Sequence, residues 1–448
     1  MRWFATAPAA CVLAIVSCTL SPDVVIEPLR LRPSDVSRST SLENAMQTGD
    51  YRGVVAMRNQ IESAPRPRPD HLALLGRAHL FCGLYEEGRE ILSRAQQMRL
   101  PADLRRDVEW DLAQIAYQQG DVATALELTL QARSRGIIVH RWYIDLLRSL
   151  QGIELNTIEG ERTIVTEFRF GAPDLPRLDT IVNGDSMIEG VIDSGAAMSI
   201  VSRSIAEQSD IRPLRSDGAV LYGLLGEPIP VTFGMIDTLT IRGMRIRRVP
   251  VAIMEDQNLS FFFASNRPFR IDLLIGAEVL KEFRLRFDYS RKQLTMDYLE
   301  AEEREPAADQ NLFLVDQRPL VQVAINRQAW FPFLLDTGSE LTFLNSSKFT
   351  MPRVAMGVRG PHNARLQGLG GAQKRGSRVR HISIGVHRWT GRFEHMPLYS
   401  DVGSQSLGIL GQNYLKNFRV DIDFGRMRVE LERNDGGPRE VDSGRARD

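Results

Sequence analysis

From residue 41 to about 155, apolar positions recur at spacings of three and four, as in Leu72, Leu75 and Ala78 and again in Leu112, Ile115 and Ala116. That period predicts amphipathic helices with one face turned to a core. The run is punctuated at Gly49-Asp50-Tyr51, Gly83-Leu84-Tyr85 and Gly120-Asp121, with glycines 34 and then 37 residues apart. A period of that length predicts stacked helical hairpins, each covering its neighbour's apolar face. Near Asn156 the texture changes. Short runs such as Thr163-Ile164-Val165 and Ile181-Val182 alternate with Gly, Asn, Asp and Pro turns as far as about Glu432, a pattern that predicts strands. The last stretch, 434–448, is charged with almost nothing to bury and is expected to be a disordered tail.

The N-terminal residues read differently. Residues 1–17 carry Arg2, an apolar run from Ala9 to Val16 and small residues before Cys18. This is the layout of a bacterial export signal, with an apolar run too short to span a bilayer. Ile15-Val16-Ser17-Cys18 resembles a lipobox, in which Cys18 becomes the acylated N-terminus. Several acyl chains anchor a protein firmly where one holds it weakly. Thr19 in place of Asp points such a lipoprotein to the outer membrane, facing the periplasm; an ordinary cleaved signal that discards Cys18 is the alternative. Residues 18–40 are then a linker.

Composition and charge narrow the function classes. Hydrophobic residues make up 43% and charged residues 25%, which excludes a collagen-like, wholly disordered or polytopic membrane chain. Lys+Arg and Asp+Glu are both 56, so no nucleic-acid partner is expected. Of the 3 cysteines, only Cys82 lies beyond the N-terminal segment, leaving no intramolecular disulfide and no Cys-based metal site. His381, His387 and His395 come without a metal-binding H-E-x-x-H helix, Gly368 to Lys374 lacks the Gly-Lys-[Ser/Thr] of a phosphate loop, and no G-x-S-x-G elbow occurs. No metal and no cofactor is expected.

The β-rich part repeats itself. One copy runs Ile181-Val182-Asn183-Gly184, then Val191-Ile192-Asp193-Ser194-Gly195-Ala196, then Ser199-Ile200-Val201. The other runs Ala324-Ile325-Asn326-Arg327, then Leu334-Leu335-Asp336-Thr337-Gly338-Ser339, then Thr342-Phe343-Leu344. Later come Leu274-Ile275-Gly276 and Ile409-Leu410-Gly411, followed by Phe283 and Asp288 in one copy and Phe418 and Asp423 in the other. Gly223-Leu224-Leu225-Gly226 and Gly368-Leu369-Gly370-Gly371 lie between these marks. The tripeptide alone is weak: Asp442-Ser443-Gly444 in the polar tail has no apolar run before it. The duplicated frame distinguishes the other two.

With these motifs the two copies resemble retropepsin-type aspartic protease domains, and the whole chain resembles bacterial aspartyl protease family proteins with tetratricopeptide repeats. The resemblance implies a tetratricopeptide-like helical domain at 41–155, then retropepsin-like β-barrel domains at 156–300 and 308–433. It implies catalytic Asp193 and Asp336, active-site loops containing Ser194, Gly195, Thr337 and Gly338, and flaps containing Tyr222, Gly223, Gly226, Gly368 and Gly370. Ser194 and Thr337 would brace the loops across their interface. The chemistry suits the residue types, because two carboxylates about 3 Å apart share one proton, so that one takes a proton from water while the other donates to a carbonyl oxygen.

A retropepsin subunit brings one Asp and must dimerise; here both lie in one chain, so an internal pseudo-dimer is expected, with pairing between chains as the alternative. Ala197 and Glu340 depart from the Asp that retropepsins often carry there. The first copy also has an added stretch, Glu255 to Phe269, readable as a lid or as packed surface. The expected activity is endopeptidase hydrolysis of a peptide or protein substrate, with the helical repeats holding a protein partner or acting as a spacer. The alternative is a non-catalytic envelope binding protein built on the same folds.

Overall fold

The computed structural model describes residues 15–17, 24–29, 41–171, 173–184, 186–262, 268–326, 329–347, 358–400, 402 and 406–434. Cys18, most of the export segment and the linker, Phe263, and the tail beyond Asn434 lie outside the described residues. Val24–Pro28 forms an edge strand beside Trp389–Phe393. Ile15–Ser17, inside the expected export signal, pairs with Arg365–Gln367.

The helical region comprises α1 (Leu42–Thr48), α2 (Tyr51–Ala56), α3 (Arg58–Glu62), α4 (Pro69–Phe81), α5 (Tyr85–Gln97), α6 (Ala102–Gln118), α7 (Val122–Ser134) and α8 (Arg141–Leu150). The three punctuating glycines end α1, α4 and α6, all left-handed with φ of +75°, +75° and +77°, the conformation that a side chain disfavours. Asp50 and Asp121, next in sequence to Gly49 and Gly120, cap α2 and α7 by accepting the N–H groups of Gly53 and Thr124. A Gly-Asp pair thus stops one helix and starts the next. Between α4 and α5, Gly76 lies under Leu92, where a Cβ would fall 2.5 Å from Cγ, so the small residue sets the close approach of the two helices.

Each β copy closes a six-stranded barrel of the same topology. In the first lobe the circuit is Arg177–Val182, Ser186–Ile192, Leu273–Ile275, Ser199–Ser202, Met244–Met254 and Thr232–Ile241, returning to the start. In the second it is Arg318–Ile325, Ala329–Leu335, Gly408–Leu410, Phe343–Asn345, Trp389–Tyr399 and Gln373–Val386. Closure leaves no open edge within the circuit. The matched Asn residues ten positions before each Asp take a left-handed turn, with φ of 52° at Asn183 and 48° at Asn326. Their side-chain oxygens accept N–H groups from a neighbouring strand, Thr238 and Ser383 respectively.

The two lobes join through a five-stranded sheet to which both contribute. Phe283–Asp288 and Phe418–Asp423 pair antiparallel at its centre, with Arg286 opposite Asp421. These strands are the sequence equivalents of one another, so the pairing is the self-complementary contact of a two-fold dimer, made within one chain. Arg284 grips Asp421 at 3.0 and 2.6 Å, and Arg419 reaches Asp288 at 3.0 Å. Beneath the strands a single apolar core holds Phe283, Leu285 and Phe287 together with Phe418, Val420 and Ile422.

The helices straddle both lobes. Tyr51 meets Phe313 of the second lobe edge-on at 5.4 Å, and Trp142 packs on Phe233 of the first at 5.4 Å. Gln118 bridges Gln317 and Lys281.

Phe418 has no solvent exposure and lies at the lobe junction. Phe418→Ala is expected to lower the unfolding free energy by about 3–5 kcal/mol, read by chemical denaturation.

Candidate active site

Asp193 and Asp336 each follow the last residue of a barrel strand, and Asp193 N–H donates to Ile275 and Asp336 N–H to Leu410, the residue before the later glycine of each copy. The chain then turns so that its own amides face the carboxylate. Asp193 Oδ1 accepts the N–H groups of Gly195 at 2.8 Å and Ala196 at 3.1 Å; Asp336 Oδ1 accepts that of Gly338 at 2.9 Å.

Each carboxylate rests on the other loop's glycine. A Cβ on Gly195 would fall 2.4 Å from Asp336 Cγ, and one on Gly338 would fall 2.3 Å from Asp193 Cγ. Neither glycine has a positive φ. What these positions demand is room for the opposite carboxylate, not an unusual backbone angle.

Ser194 and Thr337 exchange hydrogen bonds across the junction. Ser194 N–H donates to Thr337 Oγ1 at 3.0 Å and Thr337 N–H donates to Ser194 Oγ at 3.1 Å. Each hydroxyl donates onward to the opposite strand, Ser194 to Leu335 O at 2.7 Å and Thr337 to Ile192 O at 2.8 Å. All four bonds are buried, so losing one partner would strand a desolvated group.

Both aspartates have no solvent exposure. Burial pushes Asp193 up to about 7. Asp336 is also held well above the ordinary range, first by burial and then by the charge of Asp193 beside it. A shared proton belongs to the pair, and neither member is assigned as the fixed acid. The remaining oxygen of each, Oδ2, has no donor among the described residues and is the atom left for that proton or a water.

Two hairpins account for the covering. The first pairs Val220–Tyr222 with Pro228–Pro230 and turns at Gly223–Glu227, with Gly226 left-handed at φ +81°. The second pairs Val358–Gln367 with the strand beginning at Gln373 and turns at Gly368–Ala372, with Gly370 at φ +79°. The turns meet: a Cβ on Gly368 would lie 3.1 Å from Glu227 Oε1, and one on Gly370 would lie 3.0 Å from Ile229. Leu224 at the first tip packs with Leu341, Phe343 and Leu366 of the second lobe. Leu369 at the second tip packs with Ile200, Leu221 and Ile229 of the first. Each tip is therefore buried against the opposite lobe.

Tyr222 ends the first strand of the first hairpin, opposite Pro228. It is 36% exposed, with its ring 6.2 Å from His140 just before α8. Of the added stretch, Asp256–Leu259 forms a short 3-10 turn and Ser260–Phe262 pairs with Pro268–Arg270. Phe261 is fully buried, and Leu259 shares the cluster of Leu369, so this stretch packs beneath the second flap tip. Glu340 accepts the N–H of Asp174 at 2.9 Å, while Lys416 holds the Asp174 carboxylate at 2.7 Å; both tie the second lobe to the first.

Sequence reasoning missed a matched support for the loops. Ser199 N–H donates to Glu278 Oε1 at 2.7 Å while Gly276 N–H donates to Ser199 Oγ at 2.9 Å. In the second lobe Thr342 N–H donates to Asn413 Oδ1 at 2.8 Å and Gly411 N–H donates to Thr342 Oγ1 at 3.1 Å. Glu278 and Asn413 each lie two residues after the later glycine, a correspondence present in the repeat. Burial pushes Glu278 up to about 7. Among the described residues no group of three or more His, Cys, Asp or Glu side chains is placed to hold a metal.

Two family models match the chain: one described as aspartyl protease over residues 178–279, and one described as retroviral aspartyl protease over residues 315–423. No curated relative matches it. Among solved structures, a retropepsin-like aspartic protease from Rickettsia conorii aligns with 33% of this chain and 97% of its own, at 13% identity and a TM-score of 0.21. An aspartic proteinase from Irpex lacteus aligns with 61% of this chain and 98% of its own, at 11% identity and a TM-score of 0.37.

A carboxyl whose folded pKa is raised adds stability that is full below its ordinary value, 3.8 here, and is lost as pH rises through the folded value. Wild-type stability is therefore expected to fall between about pH 4 and pH 7.5. Asp193→Asn should lose less over the same range, by about 2–4 kcal/mol, measured by denaturation at each pH.

Proposed function

The chain carries two retropepsin-like aspartyl protease domains in tandem, and we propose that together they form one exported aspartic endopeptidase. The observation that carries this reading is the crossed seating of the carboxylates, each against the other loop's glycine and locked by the Ser194–Thr337 exchange. One carboxylate of the pair is ionised and the other protonated. A water between their Oδ2 atoms gives its proton to the ionised member as its oxygen attacks the peptide carbonyl carbon. The protonated member donates to the carbonyl oxygen, so the tetrahedral intermediate forms without a separated charge. The member that took the water's proton passes it to the amide nitrogen, the C–N bond breaks, and one diol hydroxyl returns its proton to the other carboxylate as the acid forms.

A buried dyad suits this chemistry, because two adjacent carboxylates cannot both ionise easily and the pair therefore keeps a proton. The flaps must part for an extended substrate to enter, and their closing over it excludes bulk water. In the same reading Cys18 is lipidated and holds the protein at the outer membrane facing the periplasm. The helical hairpins, seated on both lobes, present the protease to a protein partner.

Asp336→Asn is expected to cut peptide hydrolysis by at least about 10²-fold while the fold is retained, read by mass spectrometry of a peptide library and by circular dichroism. Full activity in that variant would remove Asp336 from the dyad and favour a binding role for the lobes. Cys18→Ser is expected to move the protein from the membrane fraction to the soluble periplasm; unchanged fractionation would contradict the lipid anchor.

A further inference from the structure

The two flap turns follow one plan. In the first, Gly223 N–H donates to Glu227 O at 3.0 Å; in the second, Gly368 N–H donates to Ala372 O at 3.1 Å. Gly223-Leu224-Leu225-Gly226-Glu227 therefore matches Gly368-Leu369-Gly370-Gly371-Ala372, and the one charged side chain in either turn is Glu227. It stands where the other turn has only a methyl group. Its side chain lies in the contact between the turns. A Cβ on Gly223 would fall 2.2 Å from Glu227 Oε1, one on Gly368 3.1 Å from the same atom, and one on Gly370 3.6 Å from Glu227 Cγ. The tips beside it are apolar and fully buried, Leu224 against the second lobe and Leu369 against the first.

Both Glu227 oxygens are buried, and neither has a hydrogen-bond donor among the described residues. The amides of Leu225 and of Glu227 itself favour the charge, but burial outweighs them and holds the carboxyl above its ordinary 4.5. The charged groups on the surrounding elements act elsewhere. In the same hairpin the other titratable group is Tyr222, which meets His140. On the second flap, Arg365 precedes the turn and Lys374 and Arg375 follow it. Asp256, on the 3-10 turn beneath the second tip, accepts the N–H of Ser204 at 3.0 Å and faces Arg270 at 3.3 Å. Glu340, beside Leu341 under the first tip, accepts the N–H of Asp174. None of these groups, and neither aspartate of the dyad, shifts Glu227; burial does. An ionised carboxylate without a partner is costly to bury, and its protonated form far less so.

We propose that Glu227 is a pH-sensitive latch of the flaps: protonated, it lies between the closed turns, and ionised, it drives them apart. The proposal rests on the endopeptidase reading in taking these hairpins as the cover of the dyad, and it adds a regulation of that site. Parting the turns returns the carboxylate to water, where it titrates at its ordinary value. Closure raises that value, so the closed state is favoured fully below about pH 4.5 and loses ground as pH rises through the closed-state value. Each unit by which closure raises the carboxyl is about tenfold in the ratio of closed to open flaps. Because the turns touch, a single carboxylate acts on both of them, and Ala372 adds no second charge.

The test is hydrogen exchange of the full chain, read by mass spectrometry on the segments that span the two turns, from about pH 4.5 to 7.5. Wild type, Glu227→Gln and Glu227→Ala are compared at each pH, which cancels the pH dependence of exchange itself. Glu227→Ala gives the first turn the side chain of the second and guards against a defect peculiar to glutamine. At the acid end the three are expected to agree within about twofold. At the neutral end both turns are expected to exchange at least about threefold faster in wild type than in either variant. Asp336→Asn, with Glu227 intact, is expected to keep the wild-type response, because the dyad is not its source. Exchange in wild type that matches both Glu227 variants at every pH overturns the latch, as does a response that Asp336→Asn alone abolishes. Peptide cleavage by the same preparations reports on the protease reading separately. Turns that loosen through Glu227 in a chain that cuts no peptide uphold the latch and contradict the endopeptidase; cleavage without that loosening does the reverse.

Discussion

Two hydroxyls and two amides at the junction of the lobes hold the whole site in place. Ser194 and Thr337 each accept the other's N–H and donate to the strand behind it. Neither loop can shift without breaking buried bonds in both lobes. The exchange puts each carboxylate against the opposite glycine, and that contact in turn brings the two acids into a buried pair in which the charge of Asp193 raises Asp336. Geometry and acidity follow from one constraint.

The interlobe sheet supplies the leverage for that constraint. Arg286 stands opposite its own sequence equivalent, Asp421, and the Arg284 and Arg419 pairs flank it. These ion pairs are partly exposed and contribute little by themselves. The apolar layer of Phe283, Phe287 and Phe418 beneath them carries more of the association. Because the equivalent strands belong to one chain, their pairing needs no second molecule, and the copies have been free to diverge. They have done so at Ala197 against Glu340 and at Glu278 against Asn413. The second lobe uses Glu340 as a tether to Asp174 of the first.

Much of this was legible in the sequence where a local rule applied. The Gly-Asp pairs between helices, the left-handed Asn183 and Asn326, and the paired Asp-[Ser/Thr]-Gly loops are short-range features whose residue types state their conformations. Contacts between distant segments were not legible. That Leu224 and Leu369 would each bury in the opposite lobe depends on how the flaps cross, and an apolar residue in a glycine-rich turn does not announce its partner. Tyr222 ends a flap strand beside Gly223, and the meeting of its ring with His140 is a contact between distant segments of the same kind. Glu278 and Asn413 share a place in the repeat, but their different side chains masked a common task of accepting one backbone N–H. The seating of α8 on the first lobe rests on Trp142 and Phe233, whose meeting no periodicity encodes.

The central claim is that one chain supplies both halves of one site. Mixing tests it most directly: Asp193→Asn and Asp336→Asn chains are unfolded together, refolded together and assayed on a peptide substrate of the wild type. Dyads formed within a chain leave every molecule in the mixture with a single aspartate, and the account predicts no activity above that of either variant alone. Recovery of a substantial fraction of wild-type cleavage would mean that lobes pair between chains, and would contradict it.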